Sequence, residues 1–288
     1  MRTFAYARPE TLAETFSLLA ATPEARVLGG GTDLIVGLRK GTITAPLVVD
    51  LKRVADLPAA IEERDGVLRI GAMTPMTAIV EDARVAAGWP ALAEAAQVVG
   101  SIQIRNRATL GGNLVNGSPA ADTATPLLVA GAVLELVGPD GTRRVPLSEF
   151  FLGPGRTALR PAELVRVIRL PITDRAVGSA FVRMTRRRGV DLATVNLACA
   201  VPAGGPVRFA FGAVGPTPFL AVDEGRVLSD PTSSVEAQDT ALRTLTSAAA
   251  PISNVRASRA YREAMLLVLA RRALATARAR LEERLGVR

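Results

Sequence analysis

Two glycine-rich segments about eighty positions apart constrain this chain more than any other feature. They are Leu28-Gly29-Gly30-Gly31-Thr32-Asp33-Leu34 and Thr109-Leu110-Gly111-Gly112-Asn113. The first follows a strand candidate, Arg26 to Leu28, and precedes a helical turn, Leu34 to Arg39. Consecutive glycines allow positive φ and let N–H groups turn into a concavity that attracts anions. A helix N-terminus behind them adds partial positive charge, and Thr32 adds a hydroxyl. The segment suits a pyrophosphate. It is not the Rossmann fingerprint, because Leu34 stands where the last glycine belongs, and it lacks a Walker lysine-serine pair. A tight turn with Thr32 or Asp33 capping the helix explains it equally well.

The second segment reads as a glycine-rich loop over Leu110 to Gly117, leading into Asn116-Gly117-Ser118-Pro119-Ala120-Ala121-Asp122. Gly111 and Gly112 permit close backbone approach to a ligand, with Thr109 and Asn113 as flanking donors. Asp122, just after Pro119, is placed to accept from a ribose hydroxyl or to cap a helix. A surface loop followed by a capped helix is the plainer alternative. A dinucleotide, however, has a long anionic middle that takes donors from more than one side, and two such loops meeting would supply them.

Composition removes several chemistries. The chain has no histidine, which excludes histidine-ligated zinc, a Ser-His-Asp triad and histidine general-base catalysis. Cys199 is the only cysteine, so neither an internal disulfide nor an iron–sulfur cluster held by this chain's own thiolates is available. Chemistry in which the chain takes part is then carried by a cofactor. The net charge of +8 raises the question of nucleic acid, but aromatics are only 4% of residues and offer little for bases to stack on. An arginine-rich solvated surface, or one that docks an acidic partner, fits better. Nearly half the residues are apolar, without a signal-like N-terminus or an uninterrupted membrane-length run. A soluble, cytoplasmic protein is the expectation.

Length and pattern suggest a first lobe over 1–55, a second over 56–174 and a C-terminal α+β domain over 175–288. The first is a small β-α-β-type unit, with a helix over Thr11 to Ala21 and strands at Arg26 to Leu28 and Leu47 to Leu51. In the second, strands are expected at Val67 to Ile70, Ala132 to Val137, Arg143 to Val145 and Leu164 to Leu170, and helices at Pro75 to Glu81 and Pro90 to Val99. Gly138-Pro139-Asp140-Gly141 is a strong hairpin signal. Beyond the boundary, strands are expected at Ser179 to Met184, Ala193 to Val201 and Val207 to Val214. Helices follow at Ser234 to Ala249 and Ser258 to Leu285. The last has Tyr261, Met265, Val268, Leu269 and Ala273 at helical spacing.

The two glycine segments, in this order, resemble those of the FAD-binding subunits of molybdenum hydroxylases, the xanthine dehydrogenase and carbon monoxide dehydrogenase family. That family shows AGGTDL early and TIGGN with an ASPAAD-like segment later; here they read GGGTDL, TLGGN and NGSPAAD. Ser101 to Asn106, Leu152 to Thr157, Glu163 to Pro171, Gly215 to Pro218 and Ala257 to Leu274 extend the resemblance over essentially the whole chain.

The resemblance implies an α+β fold: a two-lobed FAD-binding region of the vanillyl-alcohol-oxidase (PCMH) type, then a small α+β C-terminal domain. It implies that Leu28 to Leu34 and Thr109 to Asn113 hold the FAD pyrophosphate and that Asp122 contacts the cofactor. Arg183 stands where the family commonly has a lysine near the flavin, a departure, since arginine and lysine place their charge differently. Gly29 replaces a common alanine. The run Arg186 to Arg188 with Asp191 also resembles a family segment near the flavin, and a solvated or interface role suits it better than a contact. The implied assembly has a large molybdenum-cofactor subunit and a small subunit with two 2Fe-2S clusters. Electrons would reach FAD on this chain and leave to NAD, a quinone or oxygen. No catalytic acid or base and no metal ligand is expected here. A stand-alone FAD-dependent oxidoreductase on the same fold is the alternative.

Overall fold

The computed structural model describes residues 2–287. The chain forms three sheets in succession with helices packed between them, and a two-stranded hairpin, Phe151–Gly153 with Arg156–Thr157.

The first sheet is parallel, with Leu47–Asp50 between Ala5–Ala7 and Arg26–Leu28. The helix Leu12–Ala21 connects its first two strands, capped by Thr11, whose hydroxyl accepts from Glu14 N at 3.2 Å. Its apolar positions Leu12, Phe16 and Leu19 fall on one side and pack over Leu47, Val49 and Leu57. The expected strand at Leu47 to Leu51 ends at Asp50, because Asp50 caps a 3-10 turn, Leu51–Arg53, by accepting from Lys52 N.

The second sheet is antiparallel, in the order Ile61–Arg64, Val67–Gly71, Leu164–Pro171, Val133–Gly138, Gly141–Pro146. Its inner row, Leu68, Ile70, Leu134, Leu136, Ile168 and Leu170, is buried against the short helices. Val137 and Leu164, on the outer face, pack under the first lobe. Gly138 pairs with Gly141, so Pro139-Asp140 makes the two-residue turn the sequence signals.

The third sheet is an antiparallel meander of Val177–Met184, Val195–Pro202, Arg208–Gly212 and Phe219–Val222, with the long helix Arg259–Arg284 across one face. The helix approaches so closely that a Cβ at Gly178 would stand 1.9 Å from Ala277 O. Cys199 is wholly buried on a central strand of this sheet, and burial pushes its thiol pKa up.

The long helix departs from its expected seam. Tyr261 is 44% exposed, and the buried stripe runs through Arg262, Leu266, Leu269, Ala270, Ala273, Leu274 and Ala277. Arg262 lies inside because its guanidinium donates to Thr194 O, Ala213 O (2.9 Å) and Asn254 Oδ1 (2.8 Å), ending strands and loop that would otherwise leave bare carbonyls. These bonds satisfy buried carbonyls, while Arg262 Nε has no partner among the described residues, and hydropathy alone registers neither.

The second lobe and the third sheet are joined by a polar latch. Glu94, on the helix Pro90–Gln97, accepts from Phe181 N at 2.9 Å and from Arg280, which also donates to Ser179 O at 2.7 Å. Phe181 lies on an edge strand, so Glu94 covers a backbone donor that an open sheet edge would leave to solvent.

A candidate dinucleotide cleft

Between the strand Arg26–Leu28 and the helix Leu34–Lys40 the chain turns sharply, with Gly31 at φ +78°. Asp33 stands at the N-cap position, yet its side chain makes no capping bond. The capping alternative for this loop is therefore not realised. The N–H groups of Gly30, Gly31, Thr32 and Asp33 have no acceptor among the described residues. Leu28 anchors the turn in the core, while Asp33 is exposed.

The second segment is not a loop. Leu110–Val115 is a short helix, capped by Thr109, whose hydroxyl accepts from Gly112 N at 3.1 Å. Leu110 N donates to Thr74 O, Gly111 N to Ala72 O and Asn113 N to Thr109 O, each at 2.9–3.0 Å. Those backbone donors are engaged within the protein, which corrects the expectation of an open glycine loop. What this motif leaves available are side chains: the Asn113 amide nitrogen, whose Oδ1 already accepts from Thr123 at 2.6 Å, and the Thr109 hydroxyl hydrogen.

The glycines serve a close approach of chain to chain. A Cβ at Gly30 would stand 2.0 Å from Arg107 O and 2.9 Å from Ala108 Cα; one at Gly111 would stand 2.8 Å from Ala72 O. A Cβ at Gly29 would lie 3.2 Å from Thr109 Oγ1. So the first loop rests directly on the residues that lead into the second motif. The two segments, far apart in sequence, meet. The Leu152 to Thr157 hairpin supports the same region, Gly155 N donating to Gly117 O at 3.0 Å.

Asp122 and Arg183 form an ion pair at 2.9 Å, joining the second lobe to the third sheet. Asp122 is buried, and Asn196 Nδ2 donates to its other oxygen at 2.9 Å. Asp122 caps no helix; the helix Ala124–Val129 starts after Thr123. Burial pushes the Asp122 carboxyl up to about 6, against the pull of Arg183 and the hydrogen bond from Asn196. Both carboxylate oxygens thus have protein partners. Arg183 is largely buried and turned onto Asp122 rather than outward.

Just beyond Arg183 a cavity of about 440 Å³ opens, lined by Met184, Thr185, Arg186, Thr194, Arg256 and Tyr261. Arg186 is held by Asp191 at 3.1 Å on the exposed loop, so part of the arginine run is structural. Sequence reasoning missed Asn196. Its signal was present: it is the one polar side chain in the run Val195-Asn196-Leu197-Ala198-Cys199-Ala200-Val201. Its Oδ1 has no partner among the described residues and sits against Gly212, where a Cβ would stand 2.1 Å away.

The comparisons with known proteins agree with one another. Residues 2–173 match the FAD binding domain in molybdopterin dehydrogenase, and residues 180–277 match the CO dehydrogenase flavoprotein C-terminal domain. The chain is 33% identical over 277 residues to the xanthine dehydrogenase FAD-binding subunit of Escherichia coli, covering 94% of this chain and 95% of that one. It is 35% identical over 282 residues to the carbon monoxide dehydrogenase medium chain of Afipia carboxidovorans, covering 96% and 97%. Its fold superposes on a chain of reconstituted CO dehydrogenase from Oligotropha carboxidovorans with a TM-score of 0.89, at 32% identity, covering 97% of this chain and 99% of that one. With both family models matched in order and relatives aligned along nearly the whole length, the chain belongs to the FAD-binding, or medium, subunits of the molybdenum hydroxylases.

Proposed function

We propose that this chain binds FAD between its first glycine loop and the Thr109–Asn113 motif and serves as the flavin station of a molybdenum hydroxylase complex. The observation that carries this reading is the row of unengaged N–H groups from Gly30 to Asp33, held against the second motif by the close approach at Gly30. Four consecutive backbone donors with no acceptor among the described residues fit an anionic diphosphate. Thr32 makes no hydrogen bond of its own among the described residues and adds a fifth donor. Asn113 and Thr109 offer side-chain donors from the facing side. Leu28 and Leu34 fix the ends of the loop.

FAD, when bound, accepts electrons from one-electron carriers and passes them to a two-electron acceptor. The chain's own contribution is to hold it, orient it and set its surroundings. Asp122, with Asn196 and Arg183 on its two oxygens, fixes how the second lobe sits against the third sheet, and it balances the charge of Arg183. The single buried cysteine leaves cluster binding to another chain. On this reading the partners are a large subunit with the molybdenum cofactor and a small subunit with 2Fe-2S clusters, and electrons leave to NAD, a quinone or oxygen. The division into lobes at 1–55 and 56–174 and a domain at 175–288 follows the same reading, supported by each sheet drawing its strands from one of these stretches.

The test is FAD stoichiometry after desalting, measured on the purified chain and on the chain co-expressed with its partner subunits. Thr32→Glu puts a carboxylate among the free N–H groups at a half-buried position whose hydroxyl makes no hydrogen bond among the described residues. Retained FAD in the parent and at least about tenfold weaker retention in Thr32→Glu are expected. A complex that assembles with its partner subunits but releases no FAD on denaturation overturns the assignment.

A further inference from the structure

The outer face of the five-stranded sheet has two halves. The first lobe covers Val137 and Leu164. The other half carries charge. Arg69, Arg166 and Arg169 surround one carboxylate, Glu135, at 3.5, 3.8 and 3.6 Å. Arg144 stands directly opposite Glu135 on the neighbouring strand. Three cations therefore share one buried anion, only 6% exposed, with a fourth cation in register beside it.

This arrangement is unbalanced within the chain. Arg69 faces Arg169 across the ladder, a like-charge pair in register that opposes strand pairing. Neither guanidinium has a hydrogen-bond acceptor among the described residues, because the approach to Glu135 is too long for one in both cases. Glu62, opposite Arg69 on the edge strand, is exposed and makes no ion pair with it among the described residues. The Arg69 and Arg169 forks are thus held by a central carboxylate without a hydrogen-bond acceptor, while Arg166 Nε donates to Asp56 O at 3.2 Å.

We propose that this arginine cluster is a docking surface for an acidic segment of a partner subunit, a reading that rests on the chain's place in a multi-subunit complex. Shape selects the occupant. The arginines, with Arg69, Arg166 and Arg169 half-buried and Arg144 exposed, sit on three of four adjacent strands, a span of about 15 Å at ordinary strand spacing. That is wider than a single phosphate and suits a run of side-chain carboxylates, each gripped by a planar fork. Arginine is the cation suited to such interfaces, because it is weakly hydrated and rigid in its donor geometry. The absence of exposed aromatics from the cluster argues against single-stranded nucleic acid.

The test compares the parent complex with an Arg69→Glu, Arg169→Glu double variant, co-expressed with the large and small subunits. Both flavin content and subunit affinity are measured at several salt concentrations. A variant that keeps FAD but binds the partners at least about tenfold more weakly, with a flatter salt dependence, is the expected result. Parent-like affinity in a variant that keeps FAD overturns the proposal. If the double variant loses FAD as well, the lesion is in folding, and the exposed Arg144→Glu decides: threefold or more weakening, about, is expected, and none overturns it. A parent chain that holds FAD yet never assembles removes the premise and the proposal with it, while leaving the flavin site standing. Binding of duplex DNA by the parent, lost in the variant while partner affinity is unchanged, assigns the face to nucleic acid instead and also overturns it.

Discussion

Replacing Gly30 by alanine tests the cleft at its tightest point. A Cβ there would stand 2.0 Å from the Arg107 carbonyl oxygen and 2.7 Å from its carbon, where ordinary contact begins at 3.4 Å. The neighbour is backbone and cannot rotate away, so the two segments must part by more than an ångström. Overpacking of this kind costs about 1–3 kcal/mol of stability. The effect on binding is larger, because the same displacement pulls the Gly30 to Asp33 N–H row away from the facing motif. Losing two charge-assisted hydrogen bonds at roughly 1.5–3 kcal/mol each weakens FAD binding by about a hundredfold or more. Gly88→Ala is the control: it ends a helix, its φ is not positive, and a Cβ there meets nothing within 4 Å. It is expected to be neutral to within about 0.5 kcal/mol, or slightly stabilising. Urea unfolding gives the stability change, and fluorescence titration with FAD gives the affinity. A Gly30→Ala protein with parental stability and parental affinity refutes the reasoning, since the contact that holds the loop on the second motif would then carry no weight.

Three further outcomes are expected. In Arg183→Met, Asp122 loses the cation that opposes its burial, so its carboxyl rises beyond about 6. The folded form of a raised carboxyl binds more protons than the unfolded form, so stability falls as pH rises toward its folded value. Unfolding free energies of variant and parent should therefore run parallel below about pH 6 and diverge above it, by about 1.4 kcal/mol per unit of further shift; a constant gap from pH 5 to 8 counts against the pairing. Glu94→Ala removes the acceptor for Phe181 N and Arg280, and hydrogen exchange should speed up along Val177–Met184 before the rest of the third sheet, at a cost of about 1–3 kcal/mol. Arg262→Met keeps the bulk but strips donors from Thr194 O, Ala213 O and Asn254; a loss of about 2–4 kcal/mol in chemical denaturation is expected, and a neutral result means water replaces the guanidinium.

What could be read from the sequence was what depends on neighbours along the chain. The strand Arg26–Leu28, the glycine turn after it and the Pro139-Asp140 hairpin are local events, and each formed where its residues dictate. The helix Leu110–Val115 was not legible, because two glycines in six residues cost about 1 kcal/mol each in a helix. Tertiary bonds outweigh that: Ala72 and Thr74 accept the N–H groups, and Leu110 and Leu114 are fully buried. The edge strand Ile61–Arg64 has no apolar alternation and exists because the Asp65-Gly66 turn, with both φ positive, folds it onto Val67–Gly71. Phe219–Val222, announced only by prolines, was missed for a similar reason: its order comes from pairing with Arg208–Gly212.

At the candidate cleft the two motifs were visible, but their different contributions were not. Which N–H groups remain free depends on Ala72 and Thr74, about forty positions upstream of the second motif. Asp122 was singled out as a cofactor contact, and its partners Arg183 and Asn196 come from another sheet altogether. Such pairings are made by the topology.

The solitary Cys199 turns the third sheet into its own reporter. Because the thiol is sealed in and every other position in the chain is inert to thiol reagents, the rate of its modification under native conditions clocks how often that sheet opens. No engineered label is needed. Measured with and without FAD, or with and without partner subunits, the same clock reads how far stabilisation spreads from the cleft, across the Asp122–Arg183 pair and the Glu94 latch, into a domain that carries none of the glycine motifs.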